Sequence, residues 1–395
     1  MRLKWTTELD DARLERLGDV LAQCFEFPRL SFDEVVVPRI ERRNLRAVLA
    51  DDKLVAGCGH YDCGQYWGGR VLRFAAVATV GVLPAWRRKG VARYMMTEQL
   101  RSLASEGFPL AGLYPSTQRL YRAVGYEQAG VRMPWELPLE GLGGLDCPAT
   151  PVQLGPGAID RLRPMAAQRG RVHHGQLERS AGLWSRLLAP AFPRDLRTQC
   201  YVFEVEGRDE GYVIYSQRRA AGEIRYDLHL HDHVTLSHAA RSSLLSFLHD
   251  HRSLARRAIW HGAAHDELLA FTPEQNATPS FAHLWMLRVL DAKAAFEARG
   301  YPPGQSGRVE FEVHDELLPS NTGRFVLDVE SGRGTWQPGG SGHVRCSARG
   351  LAACFSGGLP ARELVHNGLL EADESSLQQL DAILGGRTPW MAEMF

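Results

Sequence analysis

The feature that most constrains this chain is a long apolar run, Val71-Leu-Arg-Phe-Ala-Ala-Val-Ala-Thr-Val-Gly-Val-Leu83, closed by Pro84 and followed at once by Ala85-Trp-Arg-Arg-Lys-Gly90. Its β-branched residues and Gly81 count against a helix, and a run bounded by proline reads as a buried strand. Behind the loop, VARYMMTEQLRSLASEG sets Val91, Met95, Met96, Leu100 and Leu103 on one helical face, with Gly107 as the stop signal. A buried strand that delivers a basic, glycine-containing loop onto a helix start predicts an α/β unit rather than an all-β protein or a helical bundle.

The flanking sequence agrees. Residues 45–58, LRAVLADDKLVAGC, read as a hairpin turning at Asp51, Asp52 and Lys53. FPLAGLYP reads as a strand, and STQRLYRAVGYE as a short helix capped by Ser116 or Thr117 and ended by Gly125. GLGGLDCPATPVQLGPG, residues 141–157, is dense in Gly and Pro and reads as a linker. Beyond it the alternation returns: YVFEVEG, GYVIYSQ and EIRYDLHLHDHV as strands, HAARSSLLSFLHDHR as a helix, RRAIWHGA as a strand. The helix entry here, VTLSHAARSSLL, has no glycine, so this segment is not expected to repeat the first loop's work. A third segment begins near LWMLRVLDAKAAFEARGY, passes through strand-like VEFEV and RFVLDVE and helix-like LAACF, ARELVHNG and SSLQQLDAIL, and closes on TPWMAEMF. At roughly 100–200 residues per domain, 395 residues predict two or three domains.

Composition narrows the function classes. Lys plus Arg and Asp plus Glu both number 46, which argues against a nucleic-acid partner held by bulk positive charge. With 44% hydrophobic and 23% charged residues the chain can bury a large core. Charges arrive too early for a secretory signal, and no stretch approaches the roughly 20 apolar residues of a spanning helix, so a cytoplasmic protein with no membrane partner is expected. The seven cysteines are scattered and odd in number, which predicts reduced thiols rather than a disulfide framework.

The chemistry concentrates in the loop. Amides at a helix N-terminus form an anion site, Gly90 lets the backbone approach a diphosphate, and Arg87, Arg88 and Lys89 add counter-charge ahead of Val91 and Ala92. Taken alone, such a loop is equally a basic turn capping an ordinary helix. Its company decides. Val80-Gly-Val82-Leu-Pro84, Arg87-Arg-Lys-Gly90-Val-Ala92 and Tyr121-Arg-Ala-Val-Gly125-Tyr126 together resemble the GNAT acetyltransferase signature: a V-x-V-x-P strand, an R-x-x-G-x-G/A loop and a downstream Y-x-x-x-G-[FY]. Ala92 stands where Gly is commonest. Within that superfamily the whole chain resembles the enhanced intracellular survival (Eis) family, most clearly in these motifs, in the stretch from Leu287 to Gly300-Tyr301, and in the closing Phe395.

The resemblance implies an α/β (α+β) fold: a catalytic GNAT domain at 1–145, a degenerate GNAT-like domain at 146–285, and a sterol-carrier-like domain at 286–395 that ends in the active site. It implies acetyl-CoA as co-substrate, no metal, and a homo-hexamer. Arg87, Arg88, Lys89, Gly90, Val91 and Ala92 would hold the pyrophosphate, and the main chain of Val80 and Val82 the pantetheine arm and thioester oxygen. Primary amines, of aminoglycoside-like polyamines or of lysine side chains, would attack the thioester directly, which requires positioning, a base for the ammonium and an acid for the thiolate. Tyr121 matches the family's acid, with Tyr126 as the packing residue beside it; the terminal carboxylate of Phe395 matches the base. An α-carboxyl with a pKa of about 3.3–3.7 is a weak base unless desolvated or relayed through water.

For the amine, Phe25, Glu26 and Phe27 are implied to line the pocket. Asp33, Glu34 and Glu393 are further carboxylate candidates, Glu393 as a negative charge at the mouth. Two clusters read as structural. His229, His231 and His233 share one strand face, with His238 behind, as on a surface or edge strand. Cys58, His60 and Cys63 mimic half a metal site whose second pair is missing. The competing function is a lipid or sterol carrier using the GNAT units as scaffold; it predicts a degraded loop, whereas Arg87, Arg88, Gly90 and Ala92 are all present.

Overall fold

The computed structural model describes residues 1–155, 157–189, 197–219, 221–386 and 388–395. The first stretch runs β1 (Leu3–Thr6), α1 (Asp11–Phe25), two short turns α2 (Arg29–Ser31) and α3 (Val37–Ile40), β2 (Leu45–Ala50), β3 (Lys53–Trp67), β4 (Arg70–Val82), α4 (Val91–Ser105), β5 (Leu110–Leu113), α5 (Gln118–Arg122) and β6 (Glu127–Pro138). The expected hairpin is β2–β3, and its turn residues Asp51 and Asp52 take φ of 45° and 64°, which matches the right-handed strand twist. Asp10 starts α1 by accepting from the Arg13 amide at 2.8 Å.

The second stretch runs β7 (Thr150–Gln153), α6 (Ile159–Val172), β8 (Leu177–Glu178), α7 (Ala181–Leu188), β9 (Thr198–Val205), β10 (Arg208–Arg218), β11 (Tyr226–Thr235), α8 (His238–Asp250), β12 (Ala255–Gly262), β13 (Thr278–Pro279) and β14 (His283–Val289). Part of the expected linker is therefore strand: β7 pairs with β9 at the outer end of the sheet, where Pro151 is tolerated because an edge strand has one side unpaired. A third stretch holds α9 (Ala292–Ala298), β15 (Gly307–His314), β16 (Gly323–Glu330), β17 (Arg333–Pro338), β18 (Val344–Ser347), α10 (Ala348–Ser356), α11 (Ala361–His366), β19 (Leu370–Glu371) and α12 (Glu374–Leu384).

One continuous sheet carries both α/β units, in the order β1-β2-β3-β4-β5-β14-β6-β12-β11-β10-β9-β7. The units share strands at its middle. β14, late in the chain, inserts between β5 and β6, pairing Val289 with Leu110 and Leu284 with Val131. β6 is long enough to serve twice: Glu127 to Arg132 pair with β14, and Met133 to Pro138 pair with β12. The expected boundary at 285/286 thus falls inside a strand embedded in the first unit's sheet.

The third stretch forms its own sheet, β17-β16-β15-β18-β19. Its interior is packed with rings: Phe296 stacks on Trp336 at 4.6 Å, and Phe311 and Phe325 lie 5.3 and 5.2 Å from the same indole. Gly68 and Gly300 bring this segment against the β3–β4 hairpin, since a Cβ on Gly300 would lie 1.9 Å from the Gly68 carbonyl oxygen. Among the described residues, no helix is long and apolar enough to cross a membrane.

Candidate active site

β4 and the parallel β5 are paired only at Phe74↔Leu110, Ala75↔Ala111 and Ala76↔Gly112. β4 runs on to Val82 while β5 stops at Leu113, so the strands part and leave an opening walled by the β4 backbone. A bulge sharpens the divergence: the β3–β4 register slips between Gly57 and Gly59, and Thr79 sits at φ 52°. Val80 and Val82 lie on this wall, half-buried. The Val82 carbonyl is not free, because Arg87 folds back and its Nε donates to it at 3.1 Å.

Below the wall, Gly90 is the N-cap of α4 at φ 79°, with no side-chain cap and nothing within 4 Å of where a Cβ would stand. The first α4 amides are left to an outside acceptor, and the positive φ is affordable because the residue is glycine. Arg88 also has positive φ, at 62°, and Arg87, Arg88 and Lys89 are exposed around the helix end, with Lys89 5.1 Å from the Trp86 ring. Val91 is buried and Ala92 half-buried in the first helical turn. Uncapped amides, a helix dipole and three cations suit a pyrophosphate.

Tyr121 and Phe395 lie on opposite faces of the sheet. Alternate β4 residues point to opposite faces. Tyr121, on α5, packs with Ala75, Val77, Leu113 and Tyr126 under α4, whereas Phe74, Ala76 and Ala78 face the cluster that receives Phe395. The Phe395 ring meets Tyr114 edge-on at 5.6 Å and Phe74 at 6.4 Å. Burial pushes the Tyr121 phenol up to about 12, against a hydrogen bond with Ser116 that lowers it. Tyr126 is fully buried, 6.0 Å from Tyr121 ring to ring, and burial raises its pKa further.

The amine-side candidates separate. Phe25, Glu26 and Phe27 leave the end of α1, with Glu26 exposed at φ 55° as the C-cap and the two rings stacked at 6.5 Å. Cys24 places this turn beside the cleft: it lies under Gly81 and hydrogen-bonds with Arg87. Asp33 pairs with Arg29. Glu393 is not a charge at an open mouth, since it is 4% exposed and ion-paired with Arg179. Two residues that no sequence motif singles out seat the tail: Tyr114, whose hydroxyl donates to the Glu393 carbonyl at 2.7 Å, and Arg132, whose Nε donates to the Ala392 carbonyl at 2.8 Å. Tyr114 follows directly on β5, within the apolar stretch FPLAGLYP.

The histidines differ from expectation: β11 lies inside the sheet between β10 and β12, not at an edge. Burial lowers His229 and His231 to about 4, and His231 Nε2 is 2.9 Å from Ser216 Oγ. His233 is edge-on to Trp260 at 6.3 Å. On β3, Cys58 and His60 both face Gln99 of α4, whereas Cys63 Sγ is 3.5 Å from the Phe74 carbonyl oxygen. Among the described residues no group of three His, Cys, Asp or Glu is placed to hold a metal.

A sheet split between its fourth and fifth strands over an uncapped helix end is the architecture of a GCN5-related acetyltransferase. Residues 6–129 and 175–289 each match an acetyltransferase (GNAT) domain model, and residues 292–392 a sterol carrier protein domain model. A GCN5-related N-acetyltransferase from Anabaena variabilis superposes with a TM-score of 0.95 at 31% identity over 100% of both chains. An uncharacterized N-acetyltransferase of Streptomyces coelicolor is 28% identical over 83% of this chain and 82% of its own. The N-acetyltransferase Eis of Mycobacterium tuberculosis is 26% identical over 82% and 80%. The chain belongs to the Eis family of GCN5-related N-acetyltransferases. It is an N-acetyltransferase, and enzymes of this fold draw the acetyl group from acetyl-CoA.

Proposed function

We propose that the enzyme acetylates primary amines, of aminoglycoside-like polyamines or lysine side chains, by direct attack on the acetyl-CoA thioester, with Tyr121 as general acid and the Phe395 carboxylate as base. The observation that carries this is the placement of Tyr121 and Phe395 on opposite faces of the β4–β5 opening. A thioester lying in that opening would present its sulfur to one face and its carbonyl carbon to the amine on the other. The α4 amides with Arg87, Arg88, Lys89, Gly90, Val91 and Ala92 would hold the pyrophosphate, and the backbone at Val80 and Val82 the arm and thioester oxygen. Glu26, with Phe25 and Phe27, would take the cationic amine.

Tyr121, protonated well past neutrality, suits an acid that must give a proton to a thiolate. The Phe395 ring, seated against Tyr114 and Phe74, supports the reading by holding the last residue at the opening. The labour divides along 1–145, 146–285 and 286–395, in a cytoplasmic homo-hexamer. The carrier alternative gains no support from the third segment, whose interior is filled by Trp336 and its neighbouring rings.

The test is Tyr121→Phe and, separately, a one-residue extension beyond Phe395, each assayed for CoA thiol release with a panel of polyamines and aminoglycosides. Each variant is expected to lose about 10²-fold or more in kcat. Wild-type turnover in both would remove the assignment. The pH–kcat profile should show no alkaline limb from the acid near 10, the ordinary phenol value, because the folded value is raised to about 12. Light scattering on the purified protein reads the assembly.

A further inference from the structure

The tail that carries Phe395 is held from two sides. On the first unit, the Met391 amide donates to the Val131 carbonyl at 3.2 Å, beside the Arg132 and Tyr114 bonds described above. On the second unit, Gln176 Nε2 donates to the Trp390 carbonyl at 2.7 Å, the Arg169 guanidinium lies 5.5 Å from the Trp390 ring centre, and Arg179 Nε donates to Glu393. Behind Glu393 runs a buried ionic chain. Arg179 Nη2 is 2.6 Å from Asp232 Oδ2, and Asp232 Oδ1 is 2.8 Å from Arg169 Nη1. Tyr212 donates its hydroxyl to Asp232 at 2.6 Å. The Arg179, Asp232 and Glu393 side chains are each at most 2% exposed, and two arginines balance two carboxylates.

We propose that the chain Arg169–Asp232–Arg179–Glu393 is the positioning device of the terminal carboxylate, and that this is a working role of the second α/β unit. The inference rests on the reading of Phe395 as the base. Glu393 is two residues from Phe395, so fixing its side chain through Arg179 and its carbonyl through Tyr114 leaves only Met394 and Phe395 to be ordered. Proton transfer rewards such restraint, since a misplacement of about 1 Å can cost about 10²-fold in rate. Every member of the chain is paired within the protein, so Arg179 and Asp232 act on the carboxylate through Glu393. They are positioning residues rather than catalytic ones. Burial makes the chain stiff: its charges cannot exchange partners with water, and the burial is tolerated while each charge keeps an opposite partner.

The test uses the full-length enzyme with Arg179→Met/Glu393→Gln, which leaves the Arg169–Asp232 pair whole, and a chain lacking Phe395 as the control. Three quantities are read: kcat, the KM values for acetyl-CoA and a polyamine, and the rate at which carboxypeptidase A releases Phe395. The double variant is expected to fall about tenfold or more in kcat with both KM values within about twofold, and to release Phe395 at least about tenfold faster. Arg179→Lys should recover part of both losses. If the double variant does not fold, Glu393→Gln alone carries the test, because Arg179 keeps Asp232 as a partner. Unchanged kcat and release in a folded variant, with the Phe395-less control inactive, overturns the clamp and leaves the base in place. A raised polyamine KM at unchanged kcat also overturns it and returns Glu393 to the substrate. Wild-type turnover in the control overturns the base reading, and the catalytic clamp with it.

Discussion

In the first unit the helix after the split strand opens on Gly90 with no side chain over its amides; in the second, α8 opens on Ser237, whose hydroxyl accepts from the Ala240 amide at 3.2 Å. The surroundings repeat the contrast. β11 and β12 part beyond His229↔Ile259 as β4 and β5 part beyond Ala76↔Gly112, and a cavity of about 1140 Å³ opens there. Yet several of its charged groups are already paired: Asp209 with Arg161, and Glu267 with Arg241 and with His173. One backbone plan thus leaves the helix-end amides bare in the first unit and satisfies one of them with a serine in the second. What separates the units is one capping side chain and a few ion pairs, not topology.

The largest break in this comparison should come from acid. Burial lowers His229 and His231 to about 4 and His261 to about 3, while the first unit's α4 face carries His60 at about 4. Between those values and the ordinary 6.5 the unfolded chain binds more protons than the folded one. Stability is therefore fully present above 6.5 and is lost as pH falls toward 4. Urea midpoints taken across that range should drop, and His231→Gln/His261→Gln should flatten the drop more than His60→Gln does. Equal slopes for the two variants would place the acid-sensitive element elsewhere.

A second effect is smaller and concerns cofactor affinity. Gly90→Val forces a β-branched side chain to φ 79° and shields the α4 amides, so the dissociation constant for CoA should rise at least about tenfold, read by calorimetry. The matching change, Ser237→Val, should leave CoA affinity alone and cost about 1 kcal/mol of stability through the lost cap. Smallest is Ser237→Gly, expected to cost only a few tenths of a kcal/mol, because a bare N-cap is tolerated by water. Acquisition of CoA binding by that variant would show that the cap alone had silenced the second cleft.

Much of the first unit was legible along the chain because its signals are local. The β4 run ending at Pro84, the loop glycine Gly90, the stop at Gly107 and the α4 face of Val91, Met95 and Leu100 each follow from periodicity or from a residue's backbone freedom. The residues of β7 read as linker because Pro151 and its neighbours carry turn chemistry, and only their place at the sheet edge lets them pair. The alternating histidines of β11 read as a surface or edge strand because polar alternation normally marks one, whereas the shared sheet gives β11 a neighbour on both sides.

By itself, then, the sequence determined the strand–loop–helix junction, the three-part order of the chain and the family, since these depend on residues close together in the chain. Only the tertiary structure decided that β14 completes the first unit's sheet, that Tyr121 and Phe395 stand on opposite faces of one opening, and that Glu393 belongs to Arg179 rather than to solvent. Those facts join residues more than a hundred positions apart, and no local propensity encodes such a meeting. A buried charge is legible only from its partner, and the partner is supplied by the fold.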